Sequence, residues 1–376
     1  MQNAICIDSI LHACNFGCYI WFDICATLLG QSSATEDKER NGRLLKMEKK
    51  KKSEIHIQHV GRDRPSDLPN HVLLRIIEFM NIKCSVQTCV LSKRWKDIWK
   101  SLTRLLFVRF YEDDDITNKF VSHILSGRDD DANIPLHSLT YIHYDDNIHP
   151  HITTILKVIK YAASHNVKKL KVDVDGFVVL KELELPPSIF YCRSLTFLHL
   201  RFWWKHSYDT KKIIPKFLNL PLLKTLHLEN LSFTASDNGC VEPFSTCNML
   251  NTLVIIGCRL QDDTQTLCIS NSNVSSLTLA WIHMHKVVIC TPKLTSLTIS
   301  GLLNPTFQVP SEYNLPFLEE VNIDYSFLYK PDESLVMISW LQLFDKVKIM
   351  TLGFDTLKET FKVSYFSIFY PFYIFY

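Results

Sequence analysis

The sequence has no glycine-rich phosphate loop, no His-Glu-x-x-His and no Gly-x-Ser-x-Gly. The nucleotide, zinc-peptidase and serine-hydrolase chemistries that need those spacings are therefore not indicated. Its 12 cysteines include no Cys-x-x-Cys, and the close pair Cys14 and Cys18 lacks a second pair at zinc-finger spacing. No sign of charge dominates. Lys and Arg number 41 against 39 Asp and Glu, a formal net charge of +2, which makes no global electrostatic case for nucleic acid or a membrane. Long apolar runs are missing too: near the start the cleanest, Phe16 to Phe22, falls far short of the roughly 18 residues a membrane span needs. Met1 to Gly30 has no basic start and is interrupted by Asp8, His12 and Asp23, so it makes a poor signal peptide.

What is present describes an ordinary globular chain, 376 residues with 47% apolar and 21% charged, long enough for two or more domains. Cys84, Cys89, Cys192, Cys258 and Cys290 occupy or border apolar runs, where a free thiol behaves as a small hydrophobe. A reducing, intracellular setting is expected, in the nucleus or the cytoplasm. Gln31 to Arg43 is polar, and Met47 opens a charged lead-in; translation is expected to start there, with residues 1–46 a gene-model extension. The run Lys49 to Lys52 reads as a nuclear address or as a solvated tail.

The stretch from Arg64 to Leu106 organises the rest. Proline suits a first helical turn, so a helix starts near Pro69 with Asp67 as its cap. Val72, Leu73, Ile76, Ile77 and Met80 then draw one apolar stripe. Further helical runs are read at Ser85 to Leu91, with Val86, Cys89 and Val90, and at Ser92 to Leu102, with Trp95, Ile98 and Trp99. Three such helices bury too little surface to stand alone. Asp67-Leu68-Pro69 followed by Val90-Leu91-Ser92-Lys93-Arg94-Trp95 closely resembles the plant form of the F-box. Met80-Asn81 stands where that family usually has Leu-Pro, and Asn70-His71 where acidic residues are common. The resemblance implies docking on an SKP-type adaptor, and through it on a cullin, by Leu68, Pro69, Val72, Leu73, Ile76, Val90, Leu91 and Trp95.

From Ile134 the chain repeats Leu-x-x-Leu-x-Leu. We read it at Leu136/Leu139/Tyr141, Val167/Leu170/Val172, Leu195/Leu198/Leu200, Leu223/Leu226/Leu228, Leu250/Leu253/Ile255, Val274/Leu277/Leu279, Leu294/Leu297/Ile299, Leu318/Val321/Ile323 and, less regularly, Val347/Met350/Leu352. From Leu170 onward the middle members recur every 20 to 29 residues, the period of a leucine-rich repeat. The last two members share one side of a strand and enter the core together. Burial is worth roughly 1.5–3 kcal/mol per aliphatic side chain, against roughly 1–2 kcal/mol of ordering cost per residue, so only stacked repeats fold. Pro221, Pro292 and Pro316 favour an extended approach to their strands. His151 to Ala163 has helical spacing, whereas Leu277 to Leu297 leaves room for little more than a turn. The expected class is α/β: a three-helix F-box followed by an irregular leucine-rich-repeat solenoid with a parallel sheet on its concave face. This region resembles plant F-box proteins of the ribonuclease-inhibitor-like, F-box/FBD-like class.

Strand residues that alternate with the buried ones face the concave side. They are Lys169, Lys171 and Asp173, then Phe197, His199 and Arg201, then Thr225, His227 and Glu229, and so on to Glu320, Asn322 and Asp324, read in order as basic and aromatic, then neutral, then acidic. Lys171, Phe197, His199, Arg201, His227 and Trp203, with Trp204 beside it, are the candidate target-binding residues, since Trp and Arg dominate binding hot spots; Trp203 and Trp204 as caps of the core is the competing reading. The histidine pairs His149/His151 and His283/His285 lack a third nearby ligand, so no metal, cofactor or catalytic residue is assigned. Phe361 to Tyr376 is almost wholly aromatic and aliphatic, read either as a mis-predicted exon end or as a membrane- or partner-touching tail. The expected organisation is an N-terminal extension (1–62), F-box (63–107), linker (108–133), solenoid (134–358) and apolar tail (359–376). The resemblance implies a non-catalytic receptor subunit of a ubiquitin ligase, holding an unknown protein target. A repeat scaffold with a degenerate F-box is the alternative, and a small ligand that glues the target in place is left open.

Overall fold

The structure is a computed structural model that describes residues 68–108, 114–129, 135–144, 152–175, 184–203, 213–236, 239–262, 264–282, 284, 286–301, 307–308, 315–325, 342–354 and 356–357. The extension before Leu68, the tail after Leu357, Asp67, Trp204 and both histidine pairs lie outside the described residues. The chain divides into two compact units, Met1–Ser101 and Leu102–Tyr376. Among the described residues no helix is long and apolar enough to cross a membrane.

In the first unit, helix α1 (Asn70–Ile77) has Pro69 at its cap position. The Pro69 carbonyl accepts from the N–H groups of Val72 and Leu73 at 2.9 and 3.2 Å. Helix α2 (Ile82–Gln87) starts earlier than the sequence suggests, because the Asn81 side chain accepts the Cys84 N–H at 2.9 Å and so caps it. The residue that replaces the family's helix-stopping proline thus begins the next helix. A 3-10 turn, Thr88–Val90, follows.

The helix expected over Ser92 to Leu102 is not formed. The N–H groups of Trp95, Ile98 and Lys100 instead bond back three residues, to the carbonyls of Ser92, Trp95 and Asp97 respectively. That tightens the chain into turns ending in the 3-10 segment Ile98–Ser101. Leu73, Ile77, Ile82, Trp95 and Trp99 form the buried core. Arg94 ties the turn to the start of α1, donating from Nε and Nη2 to Asn70 Oδ1 at 2.9 and 2.7 Å. Cys84 is disulfide-bonded rather than the free thiol expected.

The second unit begins with β1 (Arg104–Val108), α3 (Asp114–Asp129), β2 (Ser138–Tyr144), α4 (Ile152–Ser164), β3 (Lys169–Asp175) and β4 (Phe197–Trp203). Strands β5 (Ile213–Ile214), β6 (Thr225–Glu229), β7 (Ser232–Phe233), β8 (Cys240–Val241), β9 (Thr252–Ile256), β10 (Arg259–Leu260) and β11 (Thr266–Ser270) follow. It closes with β12 (Ser276–Ala280), β13 (Lys286–Cys290), β14 (Ser296–Gly301), β15 (Phe307–Gln308), β16 (Glu320–Tyr325) and β17 (Ile349–Leu352). The main sheet has ten strands in the order β1-β2-β3-β4-β6-β9-β12-β14-β16-β17. Every pairing in it is parallel, and the register aligns Leu105, Leu139, Leu170, Leu198, Leu226, Leu253, Leu277, Leu297, Val321 and Met350 in one row.

The repeat triplets from Leu136 to Ile299 are buried throughout. Leu318 and the last triplet, Val347/Met350/Leu352, are only half-buried, as befits the edge of the sheet. Stacking is continued by the backbone just ahead of each strand. The Lys168 carbonyl accepts from the N–H groups of Thr196 and Phe197 at 2.8 and 3.2 Å, and Thr196, Lys224, Asn251, Ser275, Thr295 and Glu319 each do the same for the next repeat. Each rung therefore fixes the next, which is what makes a solenoid of marginal repeats stable.

Two expectations need correction. The sheet starts at β1, before the linker: Leu102-x-x-Leu105-x-Phe107 carries the repeat pattern, all three side chains are buried, and Leu105 pairs with Leu139. The segments between the later main strands also do more than turn. They form two smaller parallel sheets, β10-β7-β5 and β15-β13-β11-β8, with β13 lying in the short Leu277 to Leu297 unit. Among the described residues the long helices lie in the early repeats. There α4 buries Ile155, Val158, Ile159 and Ala162.

Candidate functional site

Parity places residues i and i+2 of a strand on one face, and the parallel register stacks that choice from strand to strand. Lys171, His199 and His227 form one row across β3, β4 and β6, and Asp173, Arg201 and Glu229 form the next. These two rows build a closed polar network. Arg201 donates from Nη1 to Asp173 Oδ1 at 2.8 Å and from Nε to Glu229 Oε1 at 3.1 Å, with Nη2 3.8 Å from Asp175. Its guanidinium carbon lies 5.8 Å from the ring centres of both Tyr144 and Trp203. Asp173 also accepts from the Tyr144 hydroxyl at 2.7 Å and pairs with Lys171 Nζ at 3.0 Å.

The carboxylates are deeply set, Asp173 at 3% exposure and Glu229 at 7%. Burial by itself would raise the Asp173 pKa, but hydrogen bonds from Arg201, Tyr144 and Lys171 outweigh it and hold the carboxyl below its usual value. Burial also works against the Arg201 charge, and the two carboxylates more than offset it. The His199 and His227 rings lie 4.0 Å apart, with Phe197 next in the series at 6.5 Å from His199. Burial first, then His227 and Lys171, push the His199 pKa down to about 3. Its 4.0 Å approach to Asp173 is therefore a contact of a neutral ring at neutral pH, and its Nε2 has no hydrogen-bond partner.

The structure thus brings Lys171, His199, Arg201 and His227 together, with Phe197 beside them and Trp203 at the rim, 45% exposed. It also corrects the charge gradient. The first rungs are no basic patch, because Asp173, Asp175 and Glu229 stand among the cations and take up the charge of Arg201. Tyr144 and Asp175 were not anticipated, although Tyr144 lies one strand step beyond Ile142, the register partner of Asp173.

On the first unit, Phe79 and Val90 are 78% and 74% exposed. Leu68, Val72, Ile76 and Leu91 are half-exposed and Pro69 is exposed. Leu73 and Trp95 are buried and belong to the core. Phe79 is absent from the sequence-derived set; it falls two residues past the end of α1 at Ile77.

Comparison with known proteins places both units. A model of the F-box domain matches residues 65–107. One described as FBD-associated F-box protein At5g56370, LRR repeats, matches residues 156–313. The F-box protein At1g60400 of Arabidopsis thaliana is 27% identical over 309 residues, 79% of this chain and 72% of that protein. The FBD-associated F-box protein At4g10400 of the same plant is 28% identical over 272 residues, 70% and 62% of the two chains. The F-box/FBD/LRR-repeat protein At5g22660, also from Arabidopsis thaliana, is 28% identical over 266 residues, 67% and 55% of the two chains. Alignment therefore spans between 55% and 72% of the length of these three relatives.

A short helical unit with the Leu-Pro and Leu-Ser-x-Arg-Trp signatures, followed by stacked parallel strands, is the arrangement of an F-box/leucine-rich-repeat protein. Its repeats are similar to those of the plant FBD-associated F-box proteins, and its first unit is similar to the F-box domain.

Proposed function

We propose that the protein is the substrate-recognition subunit of an SKP-cullin-F-box ubiquitin ligase. The F-box unit docks the SKP-type adaptor and the repeats hold a protein target, so that ubiquitin transfer follows from proximity and this chain contributes no catalytic group. The observation that carries the reading is the division of apolar residues in the first unit. Leu73, Ile77, Ile82, Trp95 and Trp99 close its core, while Phe79 and Val90 stay in water. Large apolar side chains left exposed in a small unit whose core is already closed fit a surface that another protein covers. Leu68, Pro69, Val72, Ile76, Val90 and Leu91 are the docking set in this reading, with Leu73 and Trp95 supporting them from beneath.

The target lies along the open face of the ten-stranded sheet. It meets the neutralised Lys171–Arg201–Glu229 network first and the acidic pair Glu320 and Asp324 last, so a segment with basic residues toward the β16 end fits best. We divide the chain accordingly into the extension (1–62), an F-box unit closing at Ser101, the repeats that follow it, and the apolar tail (359–376). The test is capture of an SKP-type adaptor by the full chain. Wild type retains it, while the Phe79→Asp/Val90→Asp and Leu68→Ala/Pro69→Ala variants release it with the helical signal unchanged. A wild-type chain that captures no adaptor overturns the reading.

A further inference from the structure

Strands β8 and β11 are parallel neighbours, with Cys240 opposite Thr266 and Val241 opposite Leu267. Val241 and Leu267 point into the core, so Cys240, Glu242 and Cys268 share the opposite, outward side. Carrying the register one residue further brings Cys268 level with Glu242. The two cysteines are joined as a disulfide with their Cα atoms 6.3 Å apart. The Glu242 Oε1 atom lies 3.9 Å from Cys240 Sγ, and the three donor atoms are all within 4.8 Å of one another. A separation of 28 residues is one repeat, so the solenoid itself sets one thiol of each repeat beside the other.

We propose that, once this disulfide is reduced, Cys240, Cys268 and Glu242 bind a Zn2+ ion, leaving the fourth position to water. Two sulfurs and a carboxylate oxygen suit a tetrahedral soft-to-borderline cation, with metal–sulfur bonds of about 2.3 Å and metal–oxygen bonds of about 2.0 Å. Two donors that share an ion at such bond lengths stand up to about 4.6 Å apart, a span comparable to the 4.8 Å within which these three atoms already lie. The chemistry balances. Two equivalents of a low-molecular-weight thiol reduce the disulfide to two thiols and leave as one small disulfide. Zinc binding then converts both thiols to thiolates and releases two protons. Oxidation by a small disulfide runs the exchange backwards, and the ion leaves because a disulfide sulfur carries no thiolate charge. The second sheet is cross-linked between the same two strands in either state, by a covalent bond or by an ion, and the compartment's redox poise selects which.

The test uses the full chain, reduced with a phosphine, and follows alkylation of each cysteine by peptide mass. Saturating Zn2+ slows alkylation of Cys240 and Cys268 by about tenfold or more, and leaves buried Cys258 at its own slow rate. Glu242→Gln, an exposed position whose change leaves the fold intact, loses most of that protection. Equal alkylation of Cys240 and Cys268 with and without Zn2+ overturns the site, and protection that is undiminished in Glu242→Gln overturns the part given to the carboxylate.

Discussion

Asp173 and Arg201 are register partners on neighbouring parallel strands, and Arg201 Nη1 donates to Asp173 Oδ1 at 2.8 Å. The same guanidinium reaches Glu229 on the next strand, so one side chain joins three repeats. Removing it leaves two buried carboxylates short of their main partner. Because one partner of a buried pair is lost and the other stays, Arg201→Leu is expected to cost about 3 kcal/mol, at the lower end of such losses since Arg201 is itself half-exposed. Arg201→Lys restores one bond at most and recovers less than half of that. Urea unfolding of the two variants against wild type measures both values.

The His199 pair supplies a pH dependence with a definite sign. Its pKa is about 3 in the folded chain and 6.5 as the unperturbed value. The folded state thus excludes a proton that the unfolded state accepts, and the stabilisation is full above pH 6.5. It is lost as pH falls from 6.5 toward 3, at up to about 1.4 kcal/mol per pH unit. Lys171, Arg201 and His227 all face the ring and oppose its charge, and Asp173 alone favours it. Asp173, its own pKa depressed, adds a loss in the same direction at the acid end of that window. His199→Phe is expected to flatten the slope between pH 6 and 4, read from urea midpoints at each pH; an unchanged slope removes His199 as its source.

The repeats were legible because a parallel solenoid buries the same three positions in every turn, and a lone Leu-x-x-Leu-x-Leu becomes evidence once it recurs. Leu102/Leu105/Phe107 carries that pattern as well, yet its first member reads as the end of the third F-box helix, Ser92 to Leu102, which hides the triplet. The Arg201 network was half legible: aligning Leu170 with Leu198 and Leu226 also aligns Asp173, Arg201 and Glu229. What no single strand discloses is that these charges satisfy each other rather than a partner. The 3-10 turns around Trp95 and Trp99 were not legible, since helical spacing of apolar residues does not distinguish i-to-i−3 from i-to-i−4 bonding over so short a run.

Two glycines with similar backbones respond differently to a methyl group. Gly301 and Gly239 have φ of +80° and +71°, where an L side chain costs roughly 1 kcal/mol from the backbone alone. A Cβ on Gly301 would lie 2.6 Å from the ring of Trp281, whereas one on Gly239 meets nothing within 4 Å. Gly239→Ala should therefore lose about 1 kcal/mol, and Gly301→Ala about 1–3 kcal/mol more, as overpacking adds to strain. Pairing Gly301→Ala with Trp281→Ala should recover most of the extra loss, and a thermal-melt double-mutant cycle reads the coupling.

Asn81 decides where α2 begins. Its Oδ1 accepts the Cys84 N–H at 2.9 Å, while the Ser85 hydroxyl donates to the carbonyls of Ile77 and Asn81 at 3.1 and 3.0 Å and fastens α2 to the end of α1. Asn81→Ala removes the cap but keeps the backbone carbonyl, so the expected loss is about 1 kcal/mol. Asn81→Asp keeps an acceptor and places a negative charge at the positive end of the helix, and should match wild type or exceed it by a few tenths of a kcal/mol. Because the chain has two units, a global unfolding curve would blend their responses, and the sharper reading is local. Hydrogen exchange at the Cys84 and Ser85 amides should quicken about fivefold in Asn81→Ala, the factor that 1 kcal/mol represents, and should not quicken in Asn81→Asp. Equal exchange in all three chains would mean that the Ser85 bonds, rather than the cap, hold the start of α2.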